Sequence, residues 1–176
     1  MELLDYEIKH IEYCLNNAHE STLFLKRNDD FPINKPCRVA LFGNGARNTI
    51  KGGTGSGDVV SRCFVTFEQG LINKGFEITT STWLDQYQII RDSWHKSYVK
   101  RIKKEARQKA ILAAYYCMGA FENEHDYDLD ISTYDGDIAI YVLSRNSGEG
   151  NDRRIVKGDV LLSDTEIKDI NYLNSK

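Results

Sequence analysis

The chain has 176 residues, 41% of them apolar and 28% charged, with a net charge of -3. That length suits one domain with a core of its own, and the mild negative charge gives no electrostatic case for nucleic acid or an anionic membrane. No apolar stretch approaches the ~20 residues that cross a bilayer, so no membrane partner is expected.

The cysteines are Cys14, Cys37, Cys63 and Cys117. They form no Cys-x-x-Cys pair and do not cluster with histidines, so no metal is expected and no cofactor motif stands in its place. With no signal peptide, reduced thiols and a cytoplasmic location are the expectation. Cys37 and Cys63 flank a glycine-rich loop, where a disulfide stays open.

Two regions are expected: an N-terminal helix and entry loop over residues 1–36, and an α/β domain over 37–176. Residues 2 to about 27 read as helix, with Leu3, Leu4, Ile8, Ile11, Leu15 and Ala18 at three- and four-residue spacing. Pro32 and Pro36 punctuate the loop that follows. Cys37 to Phe42 is a short apolar strand. It opens into Gly43, Gly45, Gly52, Gly53, Gly55 and Gly57. Arg62 to Lys74 reads as a helix closed by Gly75, and Phe76 to Thr80 as a second strand. This is a β-loop-α-β unit of the length of one crossover.

Ser81-Thr82 offers a helix cap. A helical zone then runs from Trp83 to about Met118 with one break in its middle, its charged part over 101–109 projecting from the body. Trp83, Leu84, Tyr87, Ile90, Trp94 and Tyr98 repeat at helical spacing. Residues 119–136 are an acidic loop. Asp126, Asp128 and Asp130 imitate the start of a calcium loop, but Ile131 and Asp137 stand where its glycine and glutamate belong. Asp137 to Ser144 is apolar enough for burial on both faces. Ser163-Asp-Thr-Glu166 is a capping box that opens a last helix. The fold class is therefore α/β: an open, mainly parallel sheet flanked by helices, in strand order 2-1-3, with an N-terminal helix and a long helical insertion. The third strand would be an edge, where an apolar strand invites self-association into a homo-oligomer.

Two polar loops leave the carboxyl ends of strands, where open α/β sheets bind ligands. The first lacks the third glycine of a dinucleotide fingerprint, since Asn48 holds that place, and it lacks Gly-Lys-Ser/Thr. An anion nest, a turn that approaches a sugar and a plain connector all remain open for it. The second carries Glu149 between Gly148 and Gly150. A carboxylate standing free at a loop tip suits a general acid, and equally an ordinary surface glutamate.

Three stretches together resemble a known family. Ser144-Arg-Asn-Ser-Gly-Glu-Gly-Asn-Asp-Arg153, with Lys157-Gly-Asp159 and Leu162-Ser-Asp164, is similar to the acid/base loop of the α/β sandwich domain of glycoside hydrolase family 3, the β-glucosidase family. Val39-Ala-Leu-Phe-Gly43 and Lys51-Gly-Gly-Thr-Gly-Ser-Gly-Asp-Val59 resemble that domain's first strand and loop. Glu20-x-x-Leu-Phe-Leu-Lys26 with Phe31-Pro-Ile33 resembles its entry segment.

The resemblance implies a retaining glycosidase in which Glu149 is the acid/base and a (β/α)8 barrel supplies the aspartate nucleophile. It implies a raised pKa for Glu149 through burial and the nucleophile's charge. It implies that Gly52, Gly53, Thr54, Gly55, Ser56 and Asp58 line the sugar cleft, and that Arg145, Asp152 and Arg153 shape the acid loop. A β-glucoside or oligosaccharide would be the substrate and a barrel, in cis or in trans, the partner. The 176 residues cannot hold the ~250 of such a barrel. The expectation is thus an incomplete sandwich domain, inactive alone. The alternative is a non-catalytic module that binds a carbohydrate or a partner.

Overall fold

The computed structural model describes residues 3–26, 31–54, 57, 59–109, 122–147 and 152–176. It divides into two units, Met1–Pro36 with Val60–Phe64, and Cys37–Val59 with Val65–Lys176.

In the first unit, helix α1 covers Asp5–Asn17, a 3₁₀ turn covers Ala18–Ser21, and the chain is then extended to Lys26. The expected helix to about residue 27 is therefore too long. Polar side chains end it: Asn17 Nδ2 donates to the Tyr13 carbonyl at 2.7 Å, and Thr22 Oγ1 to that of Ala18 at 2.8 Å. These bonds satisfy carbonyls that a further turn would use. The described residues of α1 bury no side chain. Arg62 reaches Glu7 at 2.9 Å within this unit.

The second unit holds a three-stranded parallel sheet in the order β2-β1-β3, as expected. β1 is Arg38–Phe42, β2 Glu77–Ile78 and β3 Ile138–Tyr141. Helix α2 is Phe67–Asn73, α3 is Ser81–Lys109 and α4 is Asp164–Asn174.

The strand buried on both faces is β1, not β3: Val39, Ala40, Leu41 and Phe42 are all buried, whereas Ala139 is exposed and Ile138, Ile140 and Tyr141 are half-buried. The cause is position. β1 sits between two strands, while β3 pairs with β1 alone among the described residues.

Both outer strands are shorter than their apolar runs, because side chains replace backbone in the ladder. Thr80 Oγ1 accepts from Leu41 N at 2.9 Å and donates to Leu41 O at 2.6 Å. Beyond β3, Asn44 takes the strand's place: Ser144 N donates to Asn44 Oδ1 at 2.8 Å, and Asn44 Nδ2 to Ser144 O at 2.9 Å. The strand end is thus tied without a further strand residue.

α2 starts at Phe67 rather than at Arg62. Thr66 caps it, accepting from Gln69 N at 3.2 Å while Gln69 Oε1 accepts from Thr66 N at 3.2 Å. The expected break in α3 is absent: Ser81–Lys109 is one helix of 29 residues, with no Pro or Gly to interrupt it. The part of the helical zone beyond 109 lies outside the described residues. α4 opens on the expected box, with Ser163 Oγ accepting from Glu166 N at 3.2 Å and Glu166 Oε2 from Ser163 N at 2.8 Å.

The core is aromatic. Trp83 meets Phe42 edge-on at 5.1 Å and stacks on Tyr87 at 5.1 Å, and Tyr127 closes the group against both. Carboxylates of the acidic stretch bond to the chain itself. Asp126 caps α4 through Thr165 N at 2.8 Å, and Asp130 accepts from Ser132 N at 2.8 Å. Among the described residues no cluster could hold a metal ion, and no helix is long and apolar enough to cross a membrane. Cys14, Cys37 and Cys63 are free thiols.

Candidate functional site

The carboxyl ends of β1 and β3 lie side by side, since the strands are parallel with Phe42 opposite Tyr141. The two loops leaving them are bonded together. Gly45 N donates to Val142 O at 3.0 Å and Thr54 N to Ser147 O at 3.0 Å. Gly43 makes the close approach possible: its φ is +91°, and a Cβ there would stand 2.5 Å from Val142 O.

Asn44 then joins this junction to the segment after α3. Its Nδ2 also donates to Glu124 Oε2 at 2.9 Å, and Tyr87 Oη donates to Glu124 Oε1 at 2.7 Å. Glu124 N donates to Gly158 O at 2.7 Å. Gly158, at φ +74°, has no room for a Cβ against the Glu124 carbonyl. Burial raises the pKa of Glu124, partly offset by the Tyr87 hydrogen bond. The same burial raises that of Tyr87.

The β3 loop is anchored by charge. Arg145 Nη2 donates to Glu166 Oε2 at 2.6 Å and its Nε to the Asp159 carbonyl at 2.7 Å. Arg153 donates to Asp159 Oδ1 and to the Asn146 carbonyl. Both carboxylates are sealed from water, Asp159 at 1% and Glu166 at 2% exposure. Paired in this way, two ionised groups can stay buried.

These elements enclose a cavity of about 300 Å³. Its walls include Asn44, Asn48 and Thr54 from the first loop, Arg145, Asn146 and Arg153 from the second, and Arg91, Trp94, His95 and Tyr98 from α3. Of the residues expected to form the site, Thr54, Arg145 and Arg153 meet here. Gly53 lies against the second loop, its α-carbon facing Ser147 O. Gly52 is half-buried nearby, and Asp152 is exposed. Glu149, Gly55, Ser56 and Asp58 lie outside the described residues.

Sequence reasoning missed Asn44, Glu124, Asp159 and Glu166 as site residues, and it read Trp94 and Tyr98 only as part of a helical repeat. The available signal was the spacing of Arg91, Trp94, His95 and Tyr98. At i, i+3, i+4 and i+7 they share one helix face, and it mixes aromatic and polar side chains.

The chain is an α/β module with a crevice at the carboxyl edge of its parallel sheet, the place where open α/β sheets bind ligands. No family model matches the chain. It is 32% identical over 157 residues to β-glucosidase A of Butyrivibrio fibrisolvens, a match covering 86% of the chain and 17% of that protein. It is similar to β-glucosidase 3B of Thermotoga neapolitana solved in complex with α-D-glucose, at 26% identity and TM-score 0.62, over 95% of the chain and 22% of that structure. The same enzyme in complex with glycerol gives 28% identity and a TM-score of 0.64. The chain thus resembles a stretch of a glycoside hydrolase family 3 β-glucosidase, as its motifs imply. It spans about a fifth of the length of these relatives, and its described sheet of three strands contains no barrel.

Proposed function

We propose that this chain supplies the acid/base glutamate and one wall of the sugar cleft in a retaining β-glucosidase-type hydrolase. One observation supports this most: the loop bearing Glu149 is tied at both ends. Ser147 is bonded to Thr54 of the first loop, and Arg153 to Asn146 and the buried Asp159. Catalytic groups on loops need such fixed ends, because small displacements of the reacting atoms lose rate.

In this reading a barrel, in cis or in trans, brings the aspartate that attacks the anomeric carbon. Glu149 protonates the departing glycosidic oxygen and later takes a proton from the water that frees the sugar. Gly52, Gly53, Thr54, Gly55, Ser56 and Asp58 form the wall on the leaving-group side. Arg145 and Arg153 hold the two ends of the loop, and Asp152 beside Arg153 is exposed. The free thiols suit a cytoplasmic setting for the same enzyme.

The test is turnover of cellobiose and of 4-nitrophenyl β-glucoside by the chain together with a family 3 barrel. These 176 residues alone turn over neither substrate. With the barrel, Glu149→Gln lowers kcat for cellobiose by about 10²- to 10⁴-fold, and added azide restores nitrophenol release. Equal cellobiose turnover by both forms sinks the proposal and leaves a non-catalytic binding module in its place.

A further inference from the structure

We propose that α3 carries a second binding surface, a basic row that takes a linear acidic polysaccharide, a sugar polymer with a carboxylate on successive rings. Lys96, Lys100, Lys103, Lys104 and Arg107 fall at i, i+4, i+7, i+8 and i+11 of one unbroken helix, so they share one face over about 16 Å. All five are exposed. Lys96 and Lys100 each stand two residues beyond an aromatic of the cleft, Trp94 and Tyr98, which turns the row about 200° around the helix from that cleft. The row is therefore a surface apart from the site at the strand ends.

A solvated helix face ordinarily alternates its charges at four-residue spacing, and this one does not. Lys96 with Lys100, Lys100 with Lys104 and Lys103 with Arg107 are like-charged pairs one turn apart, each mildly destabilising. Glu105 is the one acid between 96 and 109, and it pairs with Arg101 on another side of α3 at 3.4 Å. Asp92, one turn before Lys96, accepts from Gln88 at 2.8 Å. Among the described residues none of the five forms an ion pair. Without them the chain has 18 Lys and Arg against 26 Asp and Glu, a net of -8. A narrow row of cations on an otherwise acidic chain fits a narrow polyanion. An anionic bilayer would bring its charge against the acidic remainder, and no aromatic side chain stands in the row to enter it. Duplex DNA carries a charge every ~1.7 Å, far denser than cations about one helical turn apart. Four of the five are lysines, which lack the fork that grips a phosphate in two bonds. One carboxylate per sugar ring is a sparser spacing, and a stiff polymer loses less freedom along a straight row than a flexible acidic peptide. Such a polymer is also a glycoside, so the choice of partner rests on the glycosidase reading above.

The full 176-residue chain is titrated with polygalacturonate at low salt and followed by calorimetry. It binds, and raising the salt from about 50 to about 200 mM weakens binding about tenfold. Lys96→Gln, Lys100→Gln, Lys103→Gln and Lys104→Gln together weaken it about tenfold as well. Replacing Lys9, Lys26, Lys35 and Lys74, all exposed elsewhere on the chain, by Gln removes the same charge and leaves affinity within about twofold. Dextran, a neutral polymer, does not bind. Absence of polygalacturonate binding overturns the inference, and so does equal weakening by the two sets of substitutions. Duplex DNA, poly-glutamate or phosphatidylserine vesicles binding as tightly as polygalacturonate also overturns it. The two readings fail separately, because calorimetry needs no turnover and cellobiose is neutral. With a family 3 barrel, the four substitutions in the row leave kcat for cellobiose unchanged. Glu149-dependent cellobiose turnover without polygalacturonate binding removes the row alone. Polygalacturonate binding without such turnover removes the catalytic reading and keeps the row.

Discussion

The two loops at the carboxyl edge of the sheet are held by different forces. Where the loop after β1 meets the neighbouring loop it is held by uncharged donors, Gly45 N to Val142 O and the Asn44 amide to Ser144 and Glu124, while its ion pairs, Arg47 with Glu68 and Asp85, reach α2 and α3 and are partly exposed. The loop after β3 is fixed by buried ions, Arg145 to Glu166 and Arg153 to Asp159. Neutral bonds need only a matching donor and acceptor. Buried ions must be neutralised in place, so losing one partner leaves an uncompensated charge. The loop expected to carry the acid therefore has the more costly and more brittle anchor.

Breaking that anchor gives the largest effect. Asp159 accepts from Arg153 Nε and from Arg154 N at 3.1 Å, and its own carbonyl accepts from Arg145. Asp159→Ala removes the sealed carboxylate that Arg153 Nε and Arg154 N share, and costs about 3–5 kcal/mol. Urea unfolding of the two forms measures it, and a loss below about 1 kcal/mol would show that the ions anchor nothing.

Asn44→Ala breaks the neutral counterpart. It removes partners from Ser144 N, from Ser144 O and from Glu124 Oε2, and water can reach only some of them. The expected loss is about 2–3 kcal/mol, less than at Asp159. A loss equal to that of Asp159→Ala, in the same urea measurement, would erase the distinction between the two loops.

The difference also explains what the sequence could and could not reveal. Apolar runs marked β1 and β3, and Ser163 with Glu166 marked the start of α4, because periodicity and caps are local signals. β3 was read as doubly buried because its composition resembles that of β1. Only the neighbour count separates them, and neighbours are tertiary. Asn44 and Thr80 stand in for strand residues by side-chain bonding, which no pattern of hydropathy encodes. The carboxylates that hold Arg145 and Arg153 lie 21 and 6 residues further along the chain, while the adjacent Asp152, the natural guess, is exposed. Trp94 and Tyr98 continue the stripe begun by Trp83 and Tyr87, yet the stripe leaves the core midway along α3 and enters the cleft.

The pH dependence sharpens the comparison at a middle scale. Burial raises the pKa of Glu124 and, separately, of Asp169. A carboxyl whose folded pKa exceeds its unfolded one favours the fold when protonated. Its contribution is present in full below the unfolded pKa and is lost as pH rises through the folded value. Stability should therefore decline as pH rises out of the ordinary carboxylate range and through the raised values. Glu124→Gln, which keeps an acceptor for Asn44, should flatten that slope while leaving the β3 anchor intact. Urea midpoints across this range check it, and an unchanged slope refutes the assignment to Glu124.

The smallest effect lies within the charged loop itself. Lys157 pairs with Asp164 at 2.5 Å, but their side chains are 62% and 64% exposed. Water already solvates both ends, and holding two long side chains in one geometry offsets most of the attraction. Lys157→Ala should leave the urea midpoint where it is, at low salt and at high salt alike. Since Lys157 is two residues from Asp159, the contrast separates burial from mere charge as the source of the anchor. A midpoint shift approaching that of Asp159→Ala would mean that net charge along the loop, rather than the sealed Arg153–Asp159 pair, holds it in place.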